Sequence, residues 1–276
     1  YWVSRDEVDK LLRAGEGWLK DHPARETISK RYLAHQRRYV SEALSRLIEE
    51  DDPNLEQREE TQAADEAALE RVLNLNEQRL EAVLRHVAAA TPSRVVDLGC
   101  GEGKLLEKLL KIRTITAIAG MDVSPMQLER AARRLRLDRM PECDRERLTL
   151  FQGSLLYRDS RLNGYDVATL VEVIEHLDAP RLAALERVVF DCARPRHVIV
   201  TTPNAEYNAL FPKMSPGAMR HKDHRFEWNR NHFQDWAEGI AARHGYSVAL
   251  DAAGDSHPEY GPPTQLAVFT LEEDAA

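Results

Sequence analysis

A chain of 276 residues that is 43% hydrophobic has enough apolar material for one large α/β domain with a helical appendage, without help from disulfides. Its three cysteines, Cys100, Cys143 and Cys192, lie far apart and form no CxxC pair; this sets aside a disulfide framework or zinc ribbon and points to a reducing, cytoplasmic setting. A net charge of −8 argues against general affinity for nucleic acid, and no apolar run approaches the roughly 18 residues that span a bilayer, so no membrane role is expected.

In chain order, residues 4–50 read as helical with one break. Val8, Leu11, Leu12, Trp18 and Leu19 share an apolar face, and His22-Pro23 ends that helix. Ile28, Tyr32, Val40, Leu44 and Leu47 mark a second helix from about Arg25 to Glu50, on which Lys30, Arg31, Arg37 and Arg38 read as a solvated face, with an RNA contact as the alternative. Asp51 to Ala64 is acidic, contains Pro53 and has the composition of a linker. A third helix from about Asp65 to Ala89 carries Leu69, Val72, Leu73, Leu80, Val83 and Leu84. The expected organisation is a helical extension over 1–50, a linker over 51–64 and one α/β domain over 65–276. The start at Tyr1, within helix-like sequence, suggests a piece of a longer polypeptide.

From Arg94 onward, short β-branched runs alternate with amphipathic helices. Strands are expected at Arg94 to Leu98, Ile115 to Met121, Leu148 to Gln152, Val167 to Val171, His197 to Thr201, Ser247 to Ala252 and Leu266 to Leu271. The first five alternate with helices, as in a parallel doubly wound sheet. The last two lack an intervening helix and read as a closing antiparallel hairpin, giving a mostly parallel seven-stranded sheet.

The first strand runs into Asp97-Leu98-Gly99-Cys100-Gly101-Glu102-Gly103 and then a helix from Lys104 to Lys111. Glycines let the backbone turn tightly and approach a ligand, as in a dinucleotide fingerprint. Here, however, the turn is GxGxG with an acid before it, which repels a pyrophosphate and suits a cationic ligand such as the amino and sulfonium end of S-adenosylmethionine. Asp122 closes the next strand about 20 residues on, where a carboxylate can accept both hydroxyls of a ribose. Gln152-Gly153-Ser154 follows the third strand, where polar groups can meet an adenine edge. Asp97, Gly99, Gly101, Asp122, Ser124, Ser154, Leu155 and Val171 are the candidate cofactor contacts, in a pattern that resembles class I (Rossmann-like) methyltransferases from Val95 to Leu271.

After the fourth strand, Glu172, Glu175 and His176 stand at i, i+3 and i+4, a spacing that puts all three on one face of a helical turn. Two carboxylates and an imidazole converging suit a divalent cation, because close acids repel unless a cation or proton intervenes. Solvated acids at a helix start give the same string. Downstream, His221 and His224 are both candidates for a further ligand, in a segment where Arg220, Lys222, Arg225 and Arg230 keep a local phosphate contact open. Phe226 and Trp228 read as core, and His86, His197 and His244 as structural.

Glu172-x-x-Glu175-His176, Thr201-Thr202-Pro203-Asn204-Ala205-Glu206-Tyr207-Asn208 and Arg220-His-Lys-Asp-His224-Arg-Phe-Glu-Trp228 together resemble the RNA 3′-terminal 2′-O-methyltransferases. That family includes the enzymes that cap plant and animal small regulatory RNAs, and a bacterial branch that works in RNA repair. The resemblance covers about Leu69 to the C-terminus. It implies S-adenosylmethionine as methyl donor and one Mg²⁺ or Mn²⁺ held by Glu172, Glu175, His176 and His224. The substrate implied is an RNA 3′ end with a free 2′,3′-diol. His221 is the candidate proton acceptor, Arg220 the candidate contact to the terminal phosphate, and Asn204 or Tyr207 the candidate to frame the sugar, with loop solvation or packing as the alternative for these last three; His221, His224 and Arg220 make up the candidate catalytic set. The bacterial branch associates through an N-terminal half with a kinase-phosphatase-ligase partner, of which residues 1–64 resemble the tail end. Two other readings remain at this point: a metal-free O-methyltransferase of a small molecule, and a non-catalytic subunit of an RNA-repair complex.

Overall fold

The structure is a computed structural model, and it describes residues 11, 13–16, 19, 28, 74–211, 214, 215 and 217–272. The chain divides into two units, residues 1–65 and 66–276. In the first, Gly15 N–H donates to the Leu11 carbonyl and Leu19 N–H to that of Gly15, and both leucines are buried. The rest of the helical extension, its basic face, the linker, and the third helix before Asn74 lie outside the described residues.

In the second unit the expected alternation is realised. Five parallel strands, β1 (Arg94–Leu98), β2 (Ala117–Asp122), β3 (Leu148–Gln152), β4 (Val167–Val171) and β5 (His197–Pro203), join an antiparallel pair, β6 (Tyr246–Ala253) and β7 (Thr264–Leu271), in the order β3-β2-β1-β4-β5-β7-β6. All seven expected strands are present and the mostly parallel sheet with its closing hairpin is as read from sequence. β1, β3 and β4 keep the expected bounds, and those of the other strands shift by one or two residues. Ile115, fully buried, fills the core from the turn before β2, because the amides of Thr116 and Ala117 are both turned onto the Ser93 carbonyl.

Successive residues of a strand face opposite sides of the sheet, and the core divides accordingly. Val95, Ile118, Ile199 and Leu266 pack under α1 (Leu75–Ala89) and α2 (Lys104–Leu109). Val96, Ala119, Val198 and Val200 face the layer that contains α4 (Ala179–Glu186) and α5 (Arg230–His244), with Phe190, Phe233, Ile240 and Phe269 filling it. α3 (Pro125–Arg134) follows β2, capped by Ser124, whose hydroxyl accepts from the Gln127 amide. Burying each such aliphatic side chain stabilises by about 1.5–3 kcal/mol.

Two consequences position the site. The parallel strands all end on one edge, and β1 lies between β2 and β4, so the chain leaves β1 and β4 toward opposite layers and opens a crevice at their ends. On α1, the buried stripe Leu75, Arg79, Val83 and Val87 runs at four-residue spacing with a guanidinium in its midst. That arginine reaches under the edge where β4 and β5 end.

Candidate active site

β1 ends in the glycine-rich turn. Gly99 has φ 81°, and a Cβ there would lie 2.7 Å from the Val173 side chain, so the position requires glycine for conformation and for room. Gly101 has φ 49°, and a Cβ there would meet nothing within 4 Å, leaving the backbone open to an incoming group. The Gly101 amide donates to Asp122 Oδ2 at 2.8 Å and the Ser124 amide to Oδ1 at 2.9 Å, so both carboxylate oxygens are aimed by backbone while lone pairs remain for hydroxyls. Asp97, 2% exposed, accepts from the Thr169 hydroxyl at 2.8 Å across the β1–β4 pair. Burial pushes its carboxyl up to about 7, against the Thr169 hydrogen bond and with help from the Asp122 charge.

The remaining candidate cofactor residues sit on the same strand edge with more local duties. Ser124 caps α3, the Ser154 hydroxyl accepts from the Leu156 amide, and Gln152 donates to the Val123 carbonyl. Leu155 and Val171 are half-buried against the two cores. Val123, which the sequence reading passed over, is 67% exposed, an apolar side chain presented beside Asp122.

The acids after β4 are arranged differently from the helical turn expected. β4 keeps its register with β5 as far as Val171 opposite Thr201, and Glu172 then reverses the chain in the left-handed region, φ 54°. Only Ile174–His176 forms a helical turn, a short 3-10 one. An unbranched residue other than glycine or asparagine held there costs on the order of 1–3 kcal/mol and persists only where its surroundings fix it. Thr201 does so: its carbonyl and hydroxyl accept from the Glu172 amide, and its hydroxyl donates to Glu172 Oε1 at 2.8 Å. Arg79 Nη2 lies 3.1 Å from Glu172 Oε2, a buried pair.

Glu175 is fully buried. The Thr202 hydroxyl donates to Oε2 at 3.0 Å, while Oε1 has no hydrogen-bond partner. Burial, then the neighbouring Glu172 charge, pushes the Glu175 carboxyl well above the ordinary carboxylate range. A buried carboxyl with a bare oxygen beside a second acid is stable only with a proton or a cation.

Opposite the acids, His176, His221 and His224 bring one ring nitrogen each within 4.8 Å of one another, the one such metal-competent cluster among the described residues. His176 and His224 have ring centroids 4.8 Å apart. Partial burial and the two neighbouring imidazoles push the His176 pKa down, leaving it neutral and able to coordinate at physiological pH. The carboxylates of Glu172 and Glu175 are turned to Arg79, Thr201 and Thr202 and are not members of that close cluster. Imidazole nitrogens, two acids and an orphaned buried oxygen nonetheless make a donor set that fits a divalent cation with open positions for oxygen ligands.

His224 is almost fully buried, and its Nδ1 lies 2.6 Å from Glu227 Oε1. Burial raises the Glu227 carboxyl, but hydrogen bonds from His224, Asn208 and the Arg220 amide outweigh it and hold the group below its usual range. At His221 the relation is reversed: Nδ1 accepts from the Asp223 amide at 3.1 Å, so its neutral ring carries the proton on Nε2 and presents a donor. That is the wrong form for taking a proton through Nε2, the role expected of His221 from sequence.

Arg220 likewise differs from expectation. It is 6% exposed, and its guanidinium donates to Asn208 Oδ1 and to the carbonyls of Asn204 and Pro263 at 2.7–2.9 Å while lying over Phe211. An arginine so committed ties the chain after β5 to the entrance of β7; the exposed basic side chains of the segment are Lys222, Arg225 and Arg230. Asn204, fully buried, donates to the Tyr260 and Pro262 carbonyls, a second clasp on the same loop. Tyr207 is buried in an edge contact with Phe211. Phe226 stacks on Trp228 at 4.0 Å against the core, and His86, His197 and His244 bond to Asp251, Thr270 and Asp191 away from the strand edge.

Known proteins bear on this arrangement. Residues 1–48 match a family described as the RNA repair, ligase-Pnkp-associating region of Hen1, and residues 32–245 match a methyltransferase-domain family. The crystallised methyltransferase domain of bacterial CtHen1 is 50% identical, with a TM-score of 0.67, over 71% of this chain and 100% of that one. The small RNA 2′-O-methyltransferases of Mus musculus and Arabidopsis thaliana are 41% and 37% identical over 71% and 72% of this chain. The chain spans 51% and 23% of the length of those two relatives.

Proposed function

The chain belongs to the Hen1 family of methyltransferases, and from that premise we propose that it transfers a methyl group from S-adenosylmethionine to the 2′-hydroxyl of an RNA 3′-terminal nucleotide, with one Mg²⁺ or Mn²⁺, in RNA repair. The observation that carries this reading is the side-by-side placement, at the ends of β1 and β4, of a glycine turn flanked by Asp97 and Asp122 and of the buried acids Glu172 and Glu175 followed by the imidazole cluster of His176, His221 and His224. The sequence similarity to small RNA 2′-O-methyltransferases supports the substrate class.

S-adenosylmethionine supplies an electrophilic methyl on a positively charged sulfur, and a divalent cation supplies Lewis acidity toward a vicinal diol. The residues of the chain do the rest. Asp97 as an anion balances a cationic ligand at the turn, Asp122 accepts from ribose hydroxyls, the backbone at Gly101 allows close approach, and Val123 offers an apolar face to an adenine. Glu172, Glu175, His176 and His224 hold the cation, with Arg79 limiting the charge that Glu172 places beside Glu175. His221 offers Nε2–H to a substrate oxygen. Methyl transfer is then largely a matter of aligning oxygen, methyl and sulfur: the S–CH3 bond breaks as the O–CH3 bond forms, the hydroxyl proton passes to solvent water, and no strong base is required of the protein.

A terminal 2′,3′-diol is the specificity element in this scheme, so RNA ending in a 3′-phosphate or a 2′-deoxy sugar is rejected. The match of residues 1–48 to a ligase-Pnkp-associating region supports a kinase-phosphatase-ligase partner. The test supplies labelled S-adenosylmethionine and a short RNA, with and without Mn²⁺, comparing a terminal diol with the same RNA ending in a 2′-deoxy sugar. Label only in the diol, and only with metal, is the expected result. Equal labelling after chelation would replace the reading with a metal-free one.

A further inference from the structure

The hydrogen bonds around Glu227 determine something that the position of His224 alone does not. Arg220 Nε, which can only donate, lies 2.7 Å from Asn208 Oδ1. That fixes the orientation of the Asn208 amide, and its Nδ2 therefore faces Glu227 Oε2, at 2.5 Å. The Arg220 backbone N–H points at Oε1 at 2.6 Å. Both oxygens of Glu227 thus receive N–H groups that have no alternative role, an arrangement that suits the ionised carboxylate, which accepts on both oxygens and holds no proton of its own. The group at 2.6 Å on Oε1, His224 Nδ1, must consequently be a donor as well. A neutral imidazole with its proton on Nδ1 has a bare lone pair on Nε2.

We propose that Glu227 is a positioning residue that locks His224 in the Nδ1–H tautomer, leaving Nε2 bare within the cluster it forms with His176 and His221 and making it a cation ligand. The neighbouring His221 is held in the opposite form by the Asp223 amide and cannot take that place. Arg220 and Asn208 belong to the same device: the buried arginine orients the amide, the amide and the arginine backbone hold the carboxylate, and the carboxylate holds the imidazole. The inference rests on the metal reading above, but its tautomer consequence is separately observable.

The side chains at 224 and 227 are both 1% exposed, so the geometry is not averaged by solvent. In Glu227→Gln one amide oxygen would have to serve three N–H groups spread over two oxygens. Either orientation of the new amide sets donor against donor, at Asn208 Nδ2 or at the Arg220 amide. With the new NH2 turned toward the Arg220 amide it also faces His224 Nδ1, and moving the His224 proton to Nε2 turns that opposed donor into an acceptor and removes the lone pair.

The experiment reads tautomers by long-range ¹H–¹⁵N NMR of the metal-free chain, and Mn²⁺ affinity by EPR, for the wild type, Glu227→Gln and Glu227→Asp. Expected are Nδ1–H at His224 and Nε2–H at His221 in the wild type, and Mn²⁺ binding about 10- to 100-fold weaker in Glu227→Gln, the usual effect of losing such an outer partner. Glu227→Asp, which keeps an acceptor-only group, should restore part of that affinity, and the His221 tautomer should be unchanged throughout. Nε2–H at His224 in the wild type overturns the proposal without need of any variant, as does Glu227→Gln binding Mn²⁺ like the wild type. A wild type with the expected tautomers but no saturable Mn²⁺ binding would sink the metal reading instead.

Discussion

Asp97 is an acid buried beside a second acid, with one hydroxyl for support, and this makes its ionisation visible in stability. An unfolded aspartate titrates near 3.9, whereas burial raises the native group to about 7. Between those values the native state keeps a proton that the unfolded chain has released. Stability therefore falls as pH rises across that window, by at most about 1.4 kcal/mol per pH unit. Over roughly three pH units the loss approaches about 4 kcal/mol, complete above pH 7 and absent below about pH 4. Asp97→Asn keeps an oxygen for the Thr169 hydroxyl and cannot ionise. Its buried amide adds a pH-independent cost of about 1–3 kcal/mol, so the informative quantity is the pH dependence of the difference between variant and wild type. Urea unfolding of the ligand-free chain from pH 4.5 to 8 should show Asp97→Asn gaining on the wild type by up to about 4 kcal/mol toward high pH. A cationic ligand that needs the anion should bind the wild type more tightly as pH rises toward 7, and the variant without that trend, measured by calorimetry with S-adenosylmethionine. Parallel stability curves for the two proteins would refute the reasoning about Asp97 altogether.

Three further expectations follow from the site. Glu175→Gln removes the raised, buried acid, so the ligand-free variant should be more stable than the wild type at pH 8 but not at pH 4 in thermal unfolding, while Mn²⁺ binding by EPR weakens at least about tenfold. Arg79→Met fills the α1 stripe but leaves Glu172 without its guanidinium; removing one member of a buried pair costs about 3–5 kcal/mol, read by urea unfolding at pH 7.5. A loss under about 1 kcal/mol would mean that the pair behaves as an exposed one. Arg220→Lys cannot span Asn208 Oδ1 and two carbonyls at once and should cost about 2–3 kcal/mol by the same measurement, with RNA affinity in a filter assay following stability. A variant that is fully stable but loses RNA affinity would return Arg220 to the role of a phosphate contact.

How much of this was legible in the chain depended on whether a residue's role is set by its neighbours in sequence or by distant packing. The strands declared themselves, because Val95, Val96, Val167, Val198 and Val200 lie in short β-branched runs bounded by turns. The glycine turn and Asp122 followed from their spacing to β1 and β2. Arg79 was invisible, since a charge within a helix reads as a surface residue until the apolar residues on either side of it are seen to be buried. Arg220 was legible as a charge but not as a buried one, so its guanidinium was assigned outward when it points inward. Glu172 was placed on a helix by its i, i+3 relation to Glu175, a relation that a strand end and a reversed residue also produce. Glu227 was in plain view beside Phe226 and Trp228 but had no partner in the local sequence pattern; a carboxylate three residues after a ligand-type histidine was the available signal.

The left-handed backbone at Glu172 sets chemistry against folding at a single codon. A glycine there would relax the main chain by about 1–3 kcal/mol and spare Glu175 a neighbouring negative charge, but it would strand the Arg79 guanidinium, a loss of about 3–5 kcal/mol, so it is favourable only where residue 79 is uncharged as well. Selection for thermal stability without selection for methyl transfer should therefore change residues 79 and 172 together, to an uncharged residue and to glycine or asparagine, whereas a lineage that has lost Arg79 and still retains glutamate at 172 shows that the carboxylate is under use. Residues 79 and 172 read together can thus serve as a marker for sorting distant copies of this fold into those that keep an acid at the end of β4 for function and those that keep it only as a partner for a buried guanidinium.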